Sequence, residues 1–220
     1  QRYGLHASAA FKALPSAPAV IVAAVKPQVM DQVFPPLAKL AGPRTLVLSI
    51  AAGRSIASFE KHLPAGTAVV RAMPNRPALQ NCGVTGLYAA PAVPASARAL
   101  AAEILGAVGV TVWVDEEMLM DAVTAVSGSG PAYVFLFIEA LEQAAAELGL
   151  APDQGRQLAI GTVQGAAALA AQSAEPASVL RERVTSKGGT TEAALAVMSE
   201  KGVREGIVSG VKAAKARGQE

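Results

Sequence analysis

Residues 20–27 read Val-Ile-Val-Ala-Ala-Val-Lys-Pro, and this stretch decides the fold. Its first six residues form an uninterrupted apolar run of strand length, which Lys26 and Pro27 end. A run without polar alternation is typical of a strand buried on both faces, as in a parallel sheet covered by helices. The stretch therefore predicts a strand inside an α/β sheet.

The same pattern repeats along the first half of the chain, where each apolar run is followed by a turn and a segment with helical spacing. The predicted strands lie at 20–25, 45–50, 68–73, 84–88 and 110–114, and the predicted helices at 29–40, 56–63 and 95–108. Alternating strands and helices predict a doubly wound, Rossmann-like α/β sheet.

After Asp115 the pattern becomes helical. The predicted helices lie at 116–126, 131–150, 158–172, 190–199 and 203–216. A glycine-rich stretch at 126–131 separates the first two of them. It could present backbone N–H groups to an anion, but a helix–helix corner is the prediction. We therefore predict a sheet domain at 1–114 and an all-helical domain at 115–220.

The helix predicted at 131–150 is apolar around its whole circumference, since residues 133–138 read Tyr-Val-Phe-Leu-Phe-Ile. Such a helix has to be surrounded by other helices. It is either a core helix within one subunit or part of an interleaved dimer. The alanine-rich helix that follows permits close approach of a partner, so we predict a dimer.

Composition argues against several classes of function. The 220 residues carry a net charge of +2, which gives no reason to expect a nucleic acid or an anionic membrane as partner. The single cysteine, Cys82, and the distant His6 and His62 form no cluster with metal-ligand spacing. Residues 127–131 interrupt the longest uncharged stretch, 122–138, so no membrane span is predicted. Without a recognisable signal peptide, the chain is expected to be cytoplasmic.

The glycine fingerprint Gly-x-Gly-x-x-Gly of a dinucleotide-binding sheet is absent. The pattern begins as though partway through a sheet, with a third strand at 2–7 and a helix at 8–14. The simplest explanation is a missing N-terminal segment of roughly 40–50 residues, the usual size of a strand–loop–helix–strand unit. The alternative is a shortened natural chain that binds no nucleotide.

Three successive strand ends predict a cofactor site, because ligands of open α/β sheets bind outside the carboxyl ends of the strands. Small residues there let a flat ring approach the backbone, and a lysine offers a cation near phosphate or ribose. Taken singly, each strand end is equally typical of a turn or of tight packing. The candidate residues are Ala24, Val25, Lys26, Pro27, Ala51, Ala52, Gly53 and Asn75.

A second glycine-rich turn, Thr-Ser-Lys-Gly-Gly-Thr-Thr-Glu at 185–192, opens a predicted helix. Successive glycines allow a concave array of N–H groups, and the helix adds its positive end, which predicts an anion site. The hydroxyl residues Ser186, Thr190 and Thr191 flank Gly188 and Gly189 in the sequence. An ordinary N-cap would account for one of these hydroxyl residues but not for the block.

Four motifs together resemble the pyrroline-5-carboxylate reductase family. They are Ala-Val-Lys-Pro at 24–27, Met-Pro-Asn at 73–75, Val-Thr-Ala-Val-Ser-Gly-Ser-Gly-Pro-Ala-Tyr at 123–133 and Val-Thr-Ser-Lys-Gly-Gly-Thr-Thr at 184–191. The resemblance covers nearly the whole chain in order and spacing. The sequence departs from the family in lacking the glycine fingerprint and in having Arg76 where threonine is usual.

The resemblance implies reduction of 1-pyrroline-5-carboxylate to L-proline, the last step of proline biosynthesis, with hydride from NADPH or, alternatively, NADH. It implies that Thr191 hydrogen-bonds the ring nitrogen as the catalytic contact, that Glu117 lies close to the substrate, and that Arg183, on the strand side of its loop, reaches the cofactor. Substrate-binding groups are expected at Glu117, Ser186, Gly188, Gly189, Thr190 and Thr191.

The resemblance also implies that the helical domain of one subunit completes the site of another, in a homodimer or a larger ring of dimers. Two alternatives remain open from the residues. One is a related imine reductase with the same architecture, and the other is a non-catalytic, nucleotide-free assembly protein.

Overall fold

A computed structural model describes Leu14 and residues 16–219. The strand predicted at 2–7 and all but the last residue of the helix predicted at 8–14 lie outside this part. The chain divides into two compact units, one running to Ser129 and including the residues from Ala214 onward, the other spanning Gly130–Ala213. The domain boundary predicted at residue 115 stays a prediction.

The first unit contains a five-stranded sheet in the order β1-β2-β3-β4-β5. The strands are β1 Val20–Ala23, β2 Leu46–Ser49, β3 Ala68–Met73, β4 Gly83–Ala89 and β5 Gly109–Trp113. The β1–β2, β2–β3 and β4–β5 pairs are parallel, whereas β3 and β4 are antiparallel. All five strands predicted for the described residues are confirmed, in a mixed sheet.

Helices cover both faces of the sheet. On one face Val47 packs with Phe34 and Phe59, whose rings meet edge to face at 4.8 Å. On the other face Leu48 packs in a cluster with Leu87. The helices are α1 Met30–Ala38, α2 Ile56–Glu60 and α3 Ala95–Gly106. Because β2 is buried along its whole length, the apolar residues Leu46, Val47 and Leu48 are what this position requires, and the buried Ser49 at its end accepts a hydrogen bond from the Ala51 N–H.

The second half of the chain is helical, as predicted. Its helices are α4 Leu119–Val123, α5 Gly130–Glu147, α6 Pro152–Gln172, α7 Ala177–Arg183, α8 Thr190–Glu200 and α9 Val203–Gly218. Helix α7 was not predicted. Helix α5 packs on α6, where a Cβ on Gly155 would come within 2.9 Å of the Ala145 Cβ. None of the residues of α5 is buried, and Phe135 and Leu136 are 59% and 66% exposed.

The predicted corner at 126–131 is wrong. Residues Thr124–Gly128 form a π-helical turn directly after α4, and Ser129 keeps right-handed helical dihedral angles. The end of α4 and the turn both pack closely on the sheet: a Cβ on Gly86 of β4 would overlap the side chain of Val123 in α4, and one on Gly128 of the turn would lie 2.8 Å from Met73 Cε. Gly128 therefore serves close packing here rather than a change of chain direction, whereas a Cβ on Gly130 would meet no atom within 4 Å.

Within the described residues, the helical stretch Leu119–Glu147 has the length and composition of a membrane span, with 6% of its most apolar window buried. No membrane span was predicted because residues 127–131 interrupt this stretch, whereas in the structure the helical stretch runs through them. Core helices of water-soluble proteins pass the same test, so the stretch is weak evidence for a membrane. That no membrane is a partner stays a prediction.

Candidate functional site

The carboxyl ends of three neighbouring strands meet at one edge of the sheet. The register places Ala23 of β1 beside Ser49 of β2, and Ser49 beside Arg71 of β3. The loops that follow β1, β2 and β3 therefore leave the sheet at the same edge; they are residues 24–27, 50–53 and 74–75. This is the edge at which open α/β sheets bind ligands, so the structure brings the predicted cofactor residues together.

Arg54 ties the first two of these loops to each other. Its Nη1 and Nη2 donate to the two carboxylate oxygens of Asp31 at 3.0 and 2.8 Å, and Nη2 also donates to the Pro27 carbonyl at 2.6 Å. A bidentate arginine–carboxylate pair fixes orientation as well as distance. Sequence reasoning missed Arg54. Its partners Asp31 and Pro27 lie 23 and 27 positions earlier in the chain, and nothing in the sequence near Arg54 indicates these contacts.

The surface of these loops consists of small residues and one cation, the features from which a nucleotide site was predicted. Ala24, Lys26, Ala52 and Gly53 are exposed at the sheet edge, where they leave backbone accessible beside a cation. Gly53 has a φ of 68° with no atom within 4 Å of a would-be Cβ, so its backbone conformation rather than space favours glycine. Val25 and Pro27 are half-buried. Ala51 is buried and donates its N–H to Ser49 Oγ at 3.3 Å, so it supports the loop from beneath.

Asn75, at the end of β3, uses its side-chain amide inside the fold. Its Oδ1 accepts from the Val84 N–H at 2.9 Å. Its Nδ2 donates to the carbonyl and the Oγ of Ser127, at 3.2 and 3.3 Å. The amide therefore joins the end of β3 to the start of β4 and to the π-helical turn, and the predicted contact of Asn75 with a cofactor stays a prediction.

Glu117 is held at the sheet. Its Oε1 accepts from Arg71 Nη1 and from the Ile56 N–H, each at 2.7 Å. Ile56 is the first residue of α2, so the carboxylate also binds the positive end of that short helix. Arg71 is 9% exposed, and a lone charge within the apolar strand 68–73 was a signal that an acidic partner exists. Sequence reasoning did not use that signal.

The glycine turn before α8 has the predicted glycine conformation and helix N-terminus, but the N–H groups of Gly188 and Gly189 both have acceptors within the chain, so the anion site stays a prediction. Gly188 has a φ of 73°, which favours glycine, and Gly189 is the N-cap of α8. The Gly189 N–H donates to the Ser186 carbonyl at 3.0 Å. The Gly188 N–H donates to Glu192 Oε2 at 2.7 Å, so a carboxylate of the chain already binds this turn.

The hydroxyl residues of the turn differ in exposure. Ser186 and Thr190 are exposed, whereas Thr191 is half-buried in the first turn of α8. A Cβ on Gly189 would lie 2.5 Å from Ser186 Oγ, so a larger residue there has to displace the serine. Glu192 was not predicted as a site residue, although an acidic residue three positions after an N-cap is a known capping pattern.

Arg183 does not follow a strand. It is the last residue of α7, and its Nη2 donates to Glu175 Oε1 at 2.6 Å. Its predicted place on the strand side of the loop is therefore wrong. The element directly before the turn is the helix Ala177–Arg183, not a strand. The predicted contact between Arg183 and a cofactor stays a prediction.

Comparisons with known proteins agree with the motifs. Residues 117–220 match the family model described as pyrroline-5-carboxylate reductase dimerisation. The pyrroline-5-carboxylate reductase of Pseudomonas aeruginosa is 44% identical over 201 residues, which cover 91% of this chain and 74% of that protein.

Two solved structures show the same architecture. The pyrroline-5-carboxylate reductase of Coxiella burnetii is 40% identical with a TM-score of 0.87, over 91% of this chain and 74% of that one. The Plasmodium falciparum pyrroline carboxylate reductase, with NADP bound, is 28% identical with a TM-score of 0.81, over 91% and 76% of the two chains. By sequence and by fold, the chain belongs to the pyrroline-5-carboxylate reductase family.

Proposed function

We propose that this chain reduces 1-pyrroline-5-carboxylate to L-proline, with NADPH as the preferred hydride donor. Membership of the family supports the reaction, which is the last step of proline biosynthesis. The observation that carries the site is the turn at 188–191, where two successive glycines precede the N-terminus of α8 and Gly188 binds a carboxylate of the chain itself.

The sheet edge supports the cofactor half of the proposal. Lys26 supplies a cation, and the exposed backbone at Ala24, Ala52 and Gly53 leaves room for a flat ring. A bound nicotinamide nucleotide would supply the hydride. NADP is bound in the related reductase of Plasmodium falciparum, which favours NADPH over NADH here. In the fold, Arg54 and Asp31 keep the first two loops in the geometry that the cofactor would meet.

The helical unit supports the substrate half. The substrate carboxylate would bind the Gly188 N–H in place of the Glu192 carboxylate, with hydroxyls of Ser186 and Thr190 nearby. The Gly189 N–H would join it only by leaving the Ser186 carbonyl, to which it donates in the structure. Thr191 would hydrogen-bond the ring nitrogen. A protonated imine accepts hydride without a strong base, so the task of these residues is mainly to hold the ring in position. A half-buried hydroxyl with no net charge is suited to that task.

The side chains of Glu117 and Arg183 both make hydrogen bonds within the chain, to Arg71 and the Ile56 N–H and to Glu175. Glu117 would influence the substrate through Arg71 and the first turn of α2, which it binds. Arg183 would have to leave Glu175 to reach a cofactor. We retain both as part of the proposal, with Glu117 on the substrate side and Arg183 on the cofactor side.

Assembly completes the proposal. The helical half matches a dimerisation domain, so the protein is an oligomer. In the proposed arrangement the helical domain of one subunit completes the site of another, within a homodimer or a ring of dimers in the cytoplasm. The apolar exposed face of α5 supports this, because it leaves a surface that a partner would cover.

The test measures the activity of the full-length gene product with two imine substrates and with two hydride donors, NADPH and NADH. We expect a higher kcat/KM for 1-pyrroline-5-carboxylate than for 1-pyrroline-2-carboxylate, and a higher one with NADPH than with NADH. A preference for the 2-carboxylate would favour a related imine reductase. A folded oligomer that turns over neither imine would favour the non-catalytic assembly protein.

A further inference from the structure

The π-helical turn Thr124–Gly128 lies against the end of β3 and is followed by proline. In an α-helix the N–H of a residue donates to the carbonyl four positions earlier. Residue 131 would donate to the Ser127 carbonyl, but Pro131 has no N–H. That carbonyl instead accepts from Asn75 Nδ2 at 3.2 Å.

We infer that Asn75 is a positioning residue, which supplies the donor that Pro131 cannot and thereby fixes the π-helical turn against the cofactor edge of the sheet. This inference rests on the proposed function. The contact joins a turn to a strand 52 residues away, and both groups are part-buried. The same amide accepts from the Val84 N–H, so its orientation is set from the strand side as well.

Neighbouring packing leaves the turn little room to move. Ala125 within the turn is 1% exposed, and Met120 before it is 2% exposed. Gly128 lies against Met73, two residues before Asn75 in the strand end. The carboxyl end of β3 and the turn therefore form one packed group. Turns of π type are frequently found at functional sites, where a shift in helical register places a group for function.

The inference predicts that loss of the Asn75 donor lowers the rate of the reaction rather than cofactor binding. A small misplacement remote from the reacting atoms can lower a rate by up to about a hundredfold. In Asn75→Ala we expect kcat to fall about tenfold or more, while the dissociation constant for NADPH changes by less than about twofold. Asn75→Asp keeps the acceptor for Val84 but replaces the donor with a carboxylate oxygen that repels the Ser127 carbonyl, so it should lower kcat at least as much.

Rescue by Pro131→Ala separates this role from others, because it restores an N–H at residue 131. We expect the loss of kcat caused by Asn75→Ala to be at least about threefold smaller in the Pro131→Ala background than in the parent protein. Gln80→Glu, which makes the same amide-to-acid change at an exposed residue as Asn75→Asp, is the control and should leave kcat unchanged.

Kinetics and thermal unfolding are measured on the full-length gene product and all variants. Equal losses of kcat in both backgrounds would overturn the inference. The inference would also be overturned if Pro131→Ala reduced the effect of Asn75→Ala on the melting temperature but not its effect on kcat. That result would show a structural role alone. A rise in the NADPH dissociation constant with no rescue would assign Asn75 to direct cofactor contact instead. An inactive parent protein would count against the proposed function. In that case the melting temperatures would still test whether Asn75 replaces the missing N–H of Pro131, because Asn75→Ala should then lower the melting temperature less in the Pro131→Ala background.

Discussion

The two compact units bury their apolar residues in different ways. In the sheet unit Phe34, Phe59 and Val47 are at most 1% exposed within a single chain. In the helical unit Phe135 and Leu136 remain more than half exposed, and within α6 only Gly155 and Ala159 are buried. The sheet therefore obtains its core from one chain, whereas the helices need a second surface. The difference indicates that assembly is a condition for stability in one unit and not in the other.

The largest expected effect is from Phe135→Asp. A charge placed in an interface without a partner should weaken association by about 3–5 kcal/mol. We expect light scattering to show dissociation at micromolar concentration, with loss of reductase activity. Leu79→Asp is the control, since Leu79 is 75% exposed in the sheet unit and outside the dimerisation match. A stable dimer of the Phe135 variant would contradict the proposed covering of α5.

Next in size is Phe59→Ala. Removing a buried phenylalanine should lower the free energy of unfolding by about 3 kcal/mol, from lost transfer energy and the cavity left beside Phe34. Because this core lies within one chain, the loss should not depend on protein concentration. Denaturant unfolding at several concentrations checks it. A concentration-dependent loss, of the kind expected for Phe135, would show that the sheet unit also depends on assembly.

Local sequence pattern was sufficient for the sheet but not for its contacts. The apolar runs at 45–50 and 68–73 predicted β2 and β3, because burial on both faces imposes a uniform local composition. The link between Asn75 and Ser127 spans 52 residues and depends on strand order. Nothing local to either residue contains that information.

The same limit applies to the candidate site. The turn at 188–191 was predictable, since two glycines before a helix with hydroxyl neighbours form a local pattern. The pairing of Glu117 with Arg71 was not, as it joins residues 46 positions apart. The π-helical turn was missed because its glycines were interpreted as a change of direction. Gly128 instead allows close approach of the turn to Met73.

Thr191→Val tests the turn before α8. The change keeps the shape of the side chain and removes its hydroxyl, so kcat/KM should fall by an amount equivalent to about 1–2 kcal/mol, the scale of one hydrogen bond in a site. The melting temperature should change little. If the turn serves only as a helix cap, the melting temperature falls and kcat/KM of the folded protein does not. Thr67→Val, at an exposed turn of the sheet unit, is the matched control.

The smallest expected effect is from Glu192→Gln. In the structure the Glu192 carboxylate accepts from the Gly188 N–H, which is the donor proposed for the substrate carboxylate. A carboxylate of the chain and one of the substrate compete for that donor and repel each other. Glutamine still accepts the hydrogen bond but has no charge, so the KM for the substrate should fall by about two- to fivefold at low salt, within the range of an exposed charge interaction.

The kcat should not change in this variant, because Glu192 is not among the groups proposed to hold the ring. Glu200→Gln, at the opposite end of α8, is the control for loss of one negative charge from the same helix. The difference in KM between parent and variant should also shrink as salt is added, since screening weakens repulsion between exposed charges. An unchanged KM together with an effect of Thr191→Val would leave the substrate site in place and show that substrate does not use the Gly188 N–H.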